Sequence, residues 1–183
     1  MSFQLLINHK STTQLRPASP PQREAWASIA NEKVMRREIA RELNHAANGL
    51  YKVDQEAVTA DEKETDIRLR SVVSDHEAVI ELKLADGRSA RDLRDTIYDQ
   101  LVKKYMAAEN SRSGCLLITL AKDRCWEHPD SGQRIELTEL KSLLCDETKR
   151  VEHAMGGSVA IALHILDLRP RLPKEKVRPK PGM

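Results

Sequence analysis

The chain is poor in aromatic side chains: two Trp, three Tyr and one Phe among 183 residues. Ring stacking therefore cannot be its main way of holding a ligand. Its three cysteines, Cys115, Cys125 and Cys145, form no CxxC pair. An odd, sparse set argues against a disulfide framework and fits a reducing, cytoplasmic setting. Nowhere do eighteen apolar residues run together, and the opening MSFQLLINHK holds an apolar run of only three residues with no small-residue cleavage pattern. Neither membrane spanning nor secretion is expected. A phosphate-binding glycine loop and a nucleophile triad are missing too. Cys125 and His128, within CWEH, lack the second ligand pair that a structural zinc site requires.

What is present suits one globular unit, with 40% hydrophobic and 32% charged residues. The net charge of +2 is unevenly spread. Residues 169 to 183, RPRLPKEKVRPKPGM, carry six Lys/Arg against one Glu and four of the eight prolines, which leaves the body at about −3. Such a tail reads as extended chain that keeps the protein soluble or touches phosphates. Residues 1 to 21 contain STTQLRPASPP and read as a flexible N-terminal segment, which leaves 22 to 168 as the folded domain.

Within that domain, Gln22 to Asn48 favours helix, with Met35, Ile39, Leu43, Ala46 and Leu50 on one stripe and Asn48-Gly49 as its stop. A short strand, YKVDQEAV, precedes two β-like runs, TDIRLRSVV and EAVIELKLA, joined by Ser74-Asp75-His76 as a hairpin. Ser89 caps a second helix that reaches Glu109, CLLITLA is a buried strand, and a loop spans Lys122 to Gln133. A helix at about 136 to 154, a turn at Gly156-Gly157 and a last strand at 158 to 168 complete the order αβββαβαβ. Strands separated by helices after an antiparallel hairpin imply an α/β fold: a mixed sheet flanked by helices.

In EAVIELKLA the side chains alternate, so Glu81 and Lys83 share one sheet face while Ile80, Leu82 and Leu84 take the other. Asp66 is likewise out of phase with Ile67 and Leu69, and a tight hairpin carries it toward residues 81 to 84. Two carboxylates and an ammonium then converge. Mg²⁺ takes oxygen ligands from one or two carboxylates plus substrate phosphate, so Asp66 and Glu81 suit it and Lys83 suits the water or phosphate. The competing reading makes these charges the solvent face of an ordinary hairpin. A helix packed on each sheet face would instead cover them, and covered charges need a partner or a role.

T-D-I-R-L followed by V-I-E-L-K resembles the D…(D/E)-x-K signature of the PD-(D/E)XK, or restriction-endonuclease-like, nuclease superfamily, with Thr65 where the naming proline stands. The resemblance implies an αβββαβ core plus a C-terminal helix and strand, with Asp66 and Glu81 as Mg²⁺ ligands, Mn²⁺ able to substitute, and Lys83 as catalytic lysine. Q-L-V-K-K-Y is similar to a helix motif of exonuclease-like branches in which Gln and Tyr position water or phosphate, here one residue longer than its commonest form. Gln100 would assist catalysis by that likeness, while Tyr105 is either a phosphate contact or core. Glu32 resembles the first-helix glutamate that completes the metal site, and Glu56 an acidic residue that recurs before the Asp strand. Apart from the resemblance, Arg68, Arg70, Arg88, Arg91 and Lys103 lie close enough in sequence to line a phosphate-binding cleft, the competing role being a solvated surface. The implied activity is hydrolysis of phosphodiester bonds in nucleic acid, DNA ahead of RNA. The implied partners are a larger bacterial defence protein and a second copy in a homodimer, although no self-complementary surface is legible. The alternative is a catalytically inert module of the same fold that binds protein or nucleic acid.

Overall fold

A computed structural model describes residues 20–55 and 67–170. The expected Asp66 and Glu56, and the Pro-rich tail beyond residue 170, lie outside these residues. Two helices come first, α1 (Pro20–Ala27) and α2 (Glu32–Ala46). The strand β1 (Tyr51–Gln55) is followed by the hairpin of β2 (Ile67–Ser71) and β3 (Glu77–Leu84), and then by a 3-10 turn at Ala85–Gly87. A third helix, α3 (Ala90–Thr96), continues as a π-helical segment, Ile97–Tyr105. Next come β4 (Ser113–Leu120), the two-residue strands β5 (Trp126–Glu127) and β6 (Arg134–Ile135), α4 (Leu137–Ala154) and β7 (Ala160–Asp167).

The main sheet has the order β1-β2-β3-β4-β7. Its first three strands are antiparallel, and β3, β4 and β7 run parallel. The fold is thus α/β with a mixed five-stranded sheet. On one face Trp26 of α1 and Met35, Ile39 and Leu43 of α2 pack on Ile67, Leu69, Ile80, Leu82 and Leu117. On the other, Leu93, Ile97 and Leu101 join Leu140, Leu144 and Val151 of α4 over Val79, Leu116, Ile118 and Leu120. Every residue of β4 after Ser113 is buried, as expected of a strand covered on both faces. Among the described residues no helix is long and apolar enough to cross a membrane.

Three expectations need correction. The helix read from Gln22 to Asn48 is broken at residues 28 to 31, because Asn31 adopts an extended N-cap conformation and its side-chain oxygen accepts from Lys33 N and Val34 N (2.8 and 3.4 Å). A capping Asn offers the backbone amides a partner at that point, which outweighs the helical propensity of its neighbours. Asn48 and Gly49, both at positive φ, do end α2, and Leu50 beyond them is exposed rather than on the stripe. The helix that starts at Ser89 stops at Tyr105, not Glu109, and its second half is π-helical. At the junction the Thr96 hydroxyl donates to the Asp92 carbonyl (2.7 Å), sharing the acceptor of an α-helical amide. Finally, the loop from Lys122 contains β5, which pairs with β6 and is closed by His128 N donating to Gln133 O (2.7 Å).

Candidate active site

β3 is the middle strand of five, and this decides the fate of its charges. On an edge strand, Glu81 and Lys83 would face water; here they are 1% and 7% exposed, beside Val79 on the face that the π-helical segment covers. The solvent-face reading therefore fails for this pair. Lys83 Nζ lies 2.5 Å from Glu81 Oε1. Glu81 Oε2 is buried and accepts no hydrogen bond from any described residue. An orphaned carboxylate oxygen in a sheet centre is costly, which makes it a candidate for binding something.

Glu81 and Lys83 both line a cavity of about 400 Å³. β2 begins at Ile67 opposite Ile80, so residues 81 to 84 extend past its described end. The floor is Glu81, Leu82 and Lys83. One wall is the entry to α2: Asn31, Glu32, Lys33 and Arg36. The other is the π-helical segment, with Gln100, Lys104 and Tyr105. Hydrogen bonds from residue i to i+5 stack Tyr105 over Gln100, so the longer Gln-to-Tyr spacing still presents both to one cavity. Tyr105 is nonetheless buried, and Lys104 Nζ donates to its hydroxyl at 2.5 Å.

Of the expected residues, Glu81, Lys83, Gln100, Glu32 and Tyr105 thus come together around one cavity. Glu32 sits there in a more committed state than a metal ligand requires. Its Oε1 accepts from Leu84 N (3.2 Å) and from Arg88 Nε and Nη2 (3.1 and 2.7 Å), which pins α2 to the end of β3. Arg88 is in turn occupied by that carboxylate. Arg68 and Arg70 are not brought to the cavity; they pair with Glu77 at 3.1 and 3.0 Å, at the other end of β3. Arg91 donates to Pro129 O. Among the described residues no three His, Cys, Asp or Glu side chains are grouped so as to hold a metal ion.

Sequence reasoning missed Lys33, Arg36 and Lys104. Lys33 and Arg36 were hidden by the misplaced helix start, since in one long helix they are ordinary mid-helix cations. Locating Asn31 as a cap would have put both in the first turns of α2. Lys104 lies four positions after Gln100, a helical spacing that could have placed it beside that amide; the π winding is what adds Tyr105 to the same side.

No protein-family model, curated protein or solved structure matches the chain.

Proposed function

We propose that this chain is a metal-dependent phosphodiesterase acting on nucleic acid, DNA foremost, of the restriction-endonuclease-like kind. The observation that carries the proposal is the buried Glu81–Lys83 pair lining a cavity, with one carboxylate oxygen that has no hydrogen-bond partner among the described residues. Buried ion pairs add little to stability compared with apolar packing, so a pair kept in the central strand suggests a role beyond folding. The order αβββαβ about a mixed sheet agrees with the same reading.

The donor set fits a hard divalent ion in part: Glu81 Oε2 supplies one ligand oxygen, and Asp66 and Glu56 are the further carboxylates assigned by resemblance. Bound there, Mg²⁺ or Mn²⁺ would lower the pKa of an attacking water and offset charge at phosphorus. The chain's own groups have separate tasks. Lys83, fixed on Glu81 Oε1, presents its ammonium to a phosphate oxygen or to the nucleophile. Gln100, on the facing wall, orients that nucleophile through its amide. Lys33 and Arg36 line the cavity and attract the phosphate backbone.

The test is cleavage of supercoiled plasmid and linear duplex by the purified chain with Mg²⁺, Mn²⁺ or EDTA. Cutting should need metal and fall by at least about 10²-fold in Lys83→Ala and Glu81→Gln, as for loss of one preorganised electrostatic group. Absence of cutting with either metal, together with no calorimetric Mn²⁺ binding, would overturn the proposal.

A further inference from the structure

Two lysines stand side by side at the end of the π-helical segment, and both are exposed. Only Lys104 lines the cavity; Lys103 does not. Lys104 Nζ lies 2.5 Å from the Tyr105 hydroxyl and 4.5 Å from the centre of its ring. A lysine side chain ordinarily retains rotamer freedom, and this contact holds its ammonium over the cavity wall. Tyr105 is itself fixed by burial in the core beneath.

The π winding makes the arrangement. In an α-helix of 3.6 residues per turn, position 104 lies near the direction of Gln100, whereas position 105 turns well away from it. Bonding from i to i+5 brings position 105 back over position 100, so Gln100, Lys104 and Tyr105 all reach the cavity. π-helix is rare, and it concentrates at functional sites. The same cavity is lined by Glu81, whose buried Oε2 has no hydrogen-bond partner among the described residues, so a ligand there has an independent mark.

We infer that Lys104 is a substrate-binding residue: held by Tyr105, its ammonium takes a backbone phosphate of the nucleic acid, on the wall opposite Lys33 and Arg36. The inference rests on the nucleic-acid reading of the site. It assigns Lys104 to affinity and leaves the bond-breaking groups to β3.

The test is equilibrium binding of a fluorescent 20-mer DNA, single- and double-stranded, to the full chain in EDTA across a salt series. Each phosphate contact contributes about 0.7 to 0.9 to the slope of log K against log salt. Lys104→Ala should lower the slope by about one such contact and weaken binding severalfold at low salt, alike for unrelated sequences. Lys104→Arg should restore the slope, and Tyr105→Phe, which keeps the ring and removes the hydroxyl, should give a partial loss. Lys103→Ala, its equally exposed neighbour, should match the parent. Because Lys104 is exposed, its replacement leaves the core intact. If Lys104→Ala binds like the parent, or if Lys103→Ala loses as much, the inference is overturned while the nuclease reading stands. A parent that binds neither DNA overturns the inference together with the nucleic-acid reading on which it rests.

Discussion

At the scale of single residues, Glu81 and Lys83 pose the sharpest question, because their burial serves stability poorly. Lys83→Ala removes the charge partner that the described residues give to a carboxylate that is 1% exposed. We expect it to cost about 3–5 kcal/mol in denaturant unfolding, beyond its effect on cleavage. Replacing both partners, Glu81→Leu with Lys83→Met, should recover that loss or exceed the parent's stability while leaving no cleavage. A double variant as unstable as Lys83→Ala would mean the pair is structural. The cysteines separate in the same way. Burial pushes the Cys115 thiol up to about 12, whereas Cys125 and Cys145 are partly exposed. A maleimide should label two thiols quickly in the native protein, and the third only on unfolding, as counted by mass spectrometry. That Glu81 and Lys83 share a face was legible in the alternation of EAVIELKLA. How deeply the face is covered was not, since alternation is blind to what lies above it, and the expectation of cover came only from helices on both sheet faces.

At the scale of elements, the caps carried local information that the sequence displayed, and the helix interiors did not. Ser89 was legible as a cap: its hydroxyl oxygen accepts from Asp92 N, and Asp92 Oδ2 accepts from Ser89 N. Ser89→Ala should cost about 1 kcal/mol by thermal unfolding. The π-helical segment was not legible, because its apolar spacing, Leu93, Ile97, Leu101 and Tyr105, reads equally as α-helix. Its packing has a sharp test. A Cβ on Gly114 of β4 would meet Met106 Sδ at 2.6 Å and Leu101 Cδ1 at 2.9 Å. Gly114→Ala should therefore destabilise by about 1–3 kcal/mol, and it should also disturb the cavity wall that the segment supplies. At the end of β7, hydrogen bonds from Arg169 hold the Asp167 carboxyl below the usual aspartate range. A lowered folded-state pKa contributes stability that is complete above the unfolded value of about 3.9 and is lost as pH falls through the folded value. Acid unfolding of Asp167→Asn should accordingly show a shallower pH dependence than the parent below about pH 4.

At the scale of the whole molecule, sheet order connects these pieces. The parallel strands β3, β4 and β7 place the hairpin's charged strand in the middle, and the two helical layers leave a cavity where β2 ends. The amino-acid sequence by itself determined the element types outside the π-helical segment and the short β5–β6 pair, the hairpin, the shared face of Glu81 and Lys83, and the α/β class. These follow from side-chain periodicity and capping chemistry within a few residues of each other. Only the tertiary structure decided that the pair is buried, that Glu32 is engaged by Arg88 and Leu84, that Arg68 sits with Glu77 away from the cavity, and that Lys33, Arg36 and Lys104 line it. Each of those outcomes depends on which strand lies beside β3 and on how the helix above it winds, and both are set by packing between residues far apart in the chain.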